Sequence, residues 1–155
     1  ERLVAALPAA DAATVTDLLA HEPDTAGSVM NPEVFTVSAG TCMGEVRERL
    51  RSGPAELVRA YTVLVVGERG RLLGKVSYVD LIRCPDAALV DEVMDGDPET
   101  TRADDPMSDV AELFDRFNLL ALPVVDRDGV LEGVITVDDV VAWLREGEDR
   151  EAGLT

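Results

Sequence analysis

The sequence predicts an α/β (α+β) fold of two consecutive β-α-β-β-α units, preceded by a short helical segment. Three observations carry this. Apolar residues recur at helical spacing before Pro23, then switch after Val29 to short strand-like runs alternating with helical ones. The chain also repeats itself: Met30 and Met94 lie 64 residues apart, while Gly70 and Gly129, and likewise Gly74 and Gly133, lie 59 apart. Finally, each half places a charged glycine turn between two apolar runs, which is a hairpin signal.

The elements follow in order. Leu3, Val4 and Leu7 precede Pro8, and Val15, Leu18 and Leu19 repeat at helical spacing over residues 1–22. Pro23 stops that helix, and Asp24-Thr25 can start another short one. A β-rich stretch follows each Met, at Val34 to Val37 and at Glu99-Thr100-Thr101. The next helix carries Val46 and Leu50 in one half, and Val110, Leu113, Phe114 and Phe117 in the other. Apolar strands run from Tyr61 to Val66 and from Leu120 to Val125. The turns Glu68-Arg69-Gly70 and Asp126-Arg127-Asp128-Gly129 lead to return strands, Leu72 to Ser77 and Val130 to Thr136. Closing helices run from Tyr78 to Arg83 and from Val137 to Arg145. The fall in offset from 64 to 59 places an insertion in the first unit around Ser52 to Arg59.

Composition narrows the function. With 155 residues and 46% apolar residues the chain can bury a core without a metal or disulfide staple. Fourteen Lys and Arg against 31 Asp and Glu give −17, which excludes a nucleic-acid binder and disfavours an anionic lipid surface. Cys42 and Cys84 form no CxxC pair and read as free thiols in a reducing compartment. His21 is the only histidine, so His-rich zinc sites are excluded. No apolar run approaches the roughly 18 residues of a membrane span, and no signal peptide opens the chain. A start at Glu1 inside a helical pattern suggests a fragment of something longer. No nucleophile–base pair, phosphate-cradling loop or closed metal-ligand set argues for an enzyme.

The repeat, with its matched ends Gly74-x-x-Ser77-x-x-Asp80 and Gly133-x-x-Thr136-x-x-Asp139, resembles the cystathionine-β-synthase (CBS) domain pair over roughly residues 29–146. The string from Leu18 to Met30, the first-unit insertion and the closing Val134 to Val140 are similar to the cytosolic region of MgtE-type magnesium channels. The resemblance implies a tandem CBS pair packed through its sheets. It divides the chain into the tail of a helical N domain (1–28), two CBS units (29–90 and 91–148) and the start of a connecting segment (149–155). It implies a homodimer on the cytoplasmic face of the cell membrane, whose partners are its own pore and N domains. The function implied is regulatory: sensing Mg²⁺ and gating the pore. The alternative is a module of another transporter or enzyme that senses ATP or AMP.

Two sets of residues could carry this chemistry. Glycines on strands, here Gly74 and Gly133, let a flat ring approach the backbone. Ser77 and Thr136, where strand gives way to helix, can bond a phosphate, and Asp80 and Asp139 can accept from ribose hydroxyls. The same four polar residues read equally well as helix caps. Val79 and Asp138 offer no basic group to a phosphate, and Lys75 is the nearest cation in sequence. The second set is acidic: Asp91, Asp95, Asp138, Asp139, Glu146, Glu148 and Asp149 are candidate Mg²⁺ ligands, since Mg²⁺ takes one or two carboxylates plus waters. Taken singly, each acid reads as solvated surface. Asp126-Arg127-Asp128-Gly129 matches the start of a calcium loop, but the rest of that signature is absent. Met30 and Met94 read as core residues at the unit junctions, and Trp143 as a packing or dimer contact.

Overall fold

The computed structural model describes residues 21–54 and 62–151. Most of the expected first helix, and the insertion beyond residue 54, lie outside the described residues. Two three-stranded sheets form, each from one repeat. In the first unit β1 (Thr36–Ser38) runs parallel to β2 (Thr62–Val66), with α2 (Met43–Ser52) on the crossover. β3 (Leu72–Ser77) returns antiparallel to β2, and α3 (Tyr78–Arg83) closes the unit. The second unit repeats this with β4 (Thr101–Arg102), α5 (Met107–Phe117), β5 (Ala121–Val125), β6 (Leu131–Thr136) and α6 (Val137–Glu151).

The repeat extends to backbone detail. Both hairpins carry a register irregularity at the same place, between Val65 and Val66 and between Val124 and Val125. Both turns use left-handed backbone, at Arg69 (φ 59°) and Gly70 (φ 77°) in one and at Gly129 (φ 83°) in the other. That geometry matches hairpin twist and favours glycine. α5 ends on Asn118 at φ 52°, a left-handed cap open to asparagine at little cost.

Among the described residues the helices follow the sequence pattern with two differences. α6 runs past Arg145 to Glu151, and a short helix unforeseen in the sequence, α4 (Val90–Val93), precedes the second unit. Its counterpart α1 (Ala26–Val29) is the short helix that Asp24-Thr25 signals, with Thr25 as its N-cap.

These two short helices pack in a crossed manner. Ala26 and Met30 join the core of the second unit, with Met107, Val110, Phe114, Leu122, Val124 and Ile135. Val90, with Val93 and Met94 packed alongside, belongs to the core of the first unit, with Met43, Val46, Val63, Val65 and Val76. Backbone bonds fix the docking. Ala26 N donates to Asp105 O at 2.9 Å and Met107 N to Asp24 O at 2.8 Å; in the other half Met43 N donates to Ala88 O at 2.8 Å and Val90 N to Thr41 O at 2.9 Å. Trp143 packs on the second core, and its Nε1 donates to Asp24 Oδ1 at 2.9 Å.

β2 is buried at Val63, Leu64 and Val65, and every residue of β5 is buried, so both faces of each sheet are covered. Leu64, Ala121, Val125 and Val134 are buried outside either core, on the faces turned from the helices. An antiparallel bridge between Arg71 and Val130 links the starts of β3 and β6, and Leu72 N donates to Gly129 O at 2.9 Å.

Candidate functional site

After each short helix the chain crosses to a sheet edge and adds one bridge to it. Asp95 pairs with Lys75 on β3: Lys75 N donates to Asp95 O at 3.0 Å and Asp95 N to Lys75 O at 2.9 Å. Asn31 pairs with Val134 on β6 in the same way, at 2.8 and 3.0 Å. Gly74 and Gly133 sit next to these bridges. A Cβ on Gly74 would stand 2.6 Å from Asp95 O and 2.7 Å from Met94 Sδ. On Gly133 it would stand 2.9 Å from both Asn31 O and Met30 Sδ. Each glycine thus faces one of the chain's own crossover segments at close range. The repeat held that signal: Met30-Asn31 and Met94-Asp95 occupy matching places, as do the two glycines.

At the far ends of β3 and β6 the hydroxyl–carboxylate pairs form reciprocal caps. Asp80 N donates to Ser77 Oγ at 3.1 Å, and Ser77 N to Asp80 Oδ2 at 3.2 Å. Thr136 gives both its N–H (2.9 Å) and its hydroxyl (3.0 Å) to Asp139 Oδ2, while Asp139 N donates to Thr136 Oγ1 at 3.4 Å. These caps satisfy helix-end amides and fix both carboxylates at a strand-to-helix corner. Position 79, on α3, is an exposed Val, and the equivalent place on α6 is Asp138. Lys75 stands where the second unit has Val134. The two corners therefore share a frame and differ in charge.

The acidic candidates divide between two places. Asp91 lies in the first turn of α4, where Oδ1 accepts from Gly40 N at 2.6 Å, and Asp95 Oδ1 accepts from Asp97 N at 3.0 Å. Asp138, Asp139, Glu146, Glu148 and Asp149 are spread along α6. Among the described residues no three His, Cys, Asp or Glu side chains converge to hold a metal ion. The calcium-loop fragment is a turn: Asp126 Oδ1 accepts from Asp128 N at 2.8 Å and Val130 N at 2.9 Å.

Among the described residues no helix is long and apolar enough to cross a membrane. Residues 26–86 and 90–146 match the model of the CBS domain. The chain is 38% identical to the magnesium transporter MgtE of Thermus thermophilus over 129 residues, which is 83% of this chain and 29% of that protein. It is similar to a solved cytosolic domain of the Mg²⁺ channel MgtE in complex with ATP, with TM-score 0.81, 37% identity, and coverage of 87% of this chain and 54% of that one. It is also similar to CBSX2 in complex with AMP, with TM-score 0.69, 25% identity, and coverage of 80% and 98%. The chain thus spans less than a third of the transporter it matches.

Proposed function

Because the chain belongs to the CBS domain family, as a tandem pair, we propose that it is the regulatory, non-catalytic CBS pair of an MgtE-like magnesium transporter. It lies on the cytosolic side of the membrane, as a homodimer joined to a pore and an N domain, and biases the pore in response to Mg²⁺. Residues 29–90 and 91–148 are its two units in sequence, with 1–28 and 149–155 leading to the rest of the transporter. The observation that carries this reading is identity to an MgtE transporter of 38%, extending over 83% of the chain.

The acids suit Mg²⁺ in a particular way. They build no closed cage within the described chain, which fits an ion that keeps most of its waters and takes one or two carboxylates from a surface. The exposed Glu146, Glu148 and Asp149 on α6 and the corner carboxylate of Asp139 would hold it. Bound Mg²⁺ supplies positive charge against a chain of −17.

A thermal melt with and without millimolar Mg²⁺ tests this, because a ligand bound only by the folded state raises the midpoint. The expected result is a rise that Ca²⁺ or matched monovalent salt does not reproduce. No rise at any Mg²⁺ concentration counts against a Mg²⁺ site on this chain.

The second reading, an adenine-nucleotide sensor, is favoured by the ATP and AMP complexes of the two similar structures. On this reading Ser77, Asp80 and Lys75 frame the corner more hospitable to phosphate, since Asp138 repels it at the other. Gly74 and Gly133 then act by admitting the crossover segments that wall each corner. A rise with ATP alone in the same melt selects this reading.

A further inference from the structure

We propose that the bond from Trp143 Nε1 to Asp24 Oδ1 is a releasable latch, through which the chain entering at α1 and the helix α6 are docked together and released together. This goes beyond the regulatory reading above and does not rest on it.

The first observation comes from the repeat. α1 stands to α6 as α4 stands to α3. Met107 N bonds Asp24 O as Met43 N bonds Ala88 O, and the bridge between Thr25 and Pro106 matches that between Leu89 and Cys42. In the first unit the short stretch 84–89 joins α3 directly to α4, so the two cannot move far apart. In the second unit no such link exists: Trp143 on α6 and Asp24 before α1 are 119 residues apart in sequence. By the offsets of the repeat, Cys84 and Ala88 hold the places of Trp143 and Asp24, and an alanine offers no side-chain acceptor. Of the two halves, the one without the covalent link is the one that makes the side-chain bond.

The second observation is the geometry at Asp24. Its φ is 61°, in the left-handed region, which Ala88 does not share. Aspartate reaches this region more readily than most residues. With its backbone so turned, Asp24 holds two elements at once. Its carbonyl accepts from Met107 N of α5 at 2.8 Å, and its carboxylate accepts from the indole N–H of α6 at 2.9 Å. The indole packs on the same core as Ala26, Val29 and Met30 of the entering segment. The bond itself lies at the surface. Water can therefore take over both partners when it opens, and no buried polar group is left unpaired. Such a contact can open locally, at less cost than unfolding the molecule. Docking of α1 favours the seating of Trp143, and by linkage the seating of Trp143 favours α1 by the same factor. A load on either segment then shifts the other.

Hydrogen exchange of the full, unsubstituted chain tests this, followed by NMR under conditions where reclosing outpaces exchange. Trp143 is the single tryptophan, so its indole N–H is unambiguous. The expected result is one opening constant shared by the indole N–H and the amides of Ala26 and Gly27. It should exceed that of Val90 and Met43, the docking amides of the tethered half, by about tenfold. Distinct constants for the indole and for α1 overturn the coupling. A shared constant no larger than that of Val90 and Met43 means that the latch opens only as the whole molecule unfolds, and overturns its release. Substitutions then assign the effect to this bond. Trp143→Phe should quicken exchange at Ala26 and Gly27 by about tenfold, the usual weight of one hydrogen bond. Asp24→Ala should match it, whereas Asp24→Asn, which keeps an oxygen acceptor, should stay within about twofold of the parent. Unchanged exchange in Trp143→Phe, or an Asn variant that behaves like Ala, overturns the assignment.

Discussion

The carbonyl oxygen of Asp95 sits so close over Gly74 that a methyl group there would stand 2.6 Å from it. This one contact seats the crossover segment on β3 and lets Lys75 and Asp95 exchange both backbone hydrogen bonds. Gly74→Ala must displace backbone as well as the flexible Met94 side chain. The expected cost is about 1–3 kcal/mol, as for other overpacked sites, read as a lower urea midpoint at unchanged m-value. Gly133→Ala should behave alike, against Asn31.

The reciprocal caps predict a cost that needs no ligand. Ser77→Ala removes the acceptor for Asp80 N and should cost about 1 kcal/mol. Ser77→Asn, another good cap, should restore most of it. Chemical denaturation without nucleotide reads this directly, and an unchanged stability in Ser77→Ala would show that the cap carries no energy.

Asp139 separates the structural role from the regulatory one. Asp139→Ala breaks the cap on α6 and should cost about 0.5–2 kcal/mol. If Asp139 also contacts Mg²⁺, the concentration at half effect in the melt rises severalfold. An unchanged midpoint leaves it a cap alone. ATP titration of Asp80→Ala is the matching measurement for the nucleotide reading.

The strands, hairpins and long helices were legible because each carries its own local signal. β2 is Thr-Val-Leu-Val-Val, and α5 repeats Met107, Val110 and Phe114 at helical spacing. The register irregularities and the crossed packing of α1 and α4 were not legible. α4 has four residues, too few for periodicity to show, and its partner surface lies in another element. The glycines were seen as places of close approach, but a single sequence does not say what approaches. That several acids are spent on turns, as at Asp126 and Asp105, depends on backbone geometry that one sequence does not reveal.

Trp143 is the single tryptophan, and its bond to Asp24 joins α6 to the residues before α1. Trp143→Phe keeps the packing and removes the donor, with an expected loss of about 0.5–1.5 kcal/mol. Asp24→Ala should give a similar loss and shift the tryptophan emission. Emission identical to the parent would mean that the indole is not held there in solution.

Leu122 is fully buried at the centre of the second core. Leu122→Ala should cost about 2–5 kcal/mol. Because α1 is part of that core, tryptophan emission and far-ultraviolet dichroism should report one shared transition.

The crossed packing also bears on how the molecule is made. The first core draws on residues between Phe35 and Met94, one uninterrupted stretch. The second draws on residues from Ala26 to Met30 and then on residues from Ala103 to Trp143. As a ribosome extrudes the chain amino end first, the earlier core has all its parts once Met94 has emerged. α1 is made before either core, yet its seat is synthesised only after the first core is complete. It must wait until that seat emerges and then be recaptured, so the second core forms by closing a long loop, a slow step set by topology.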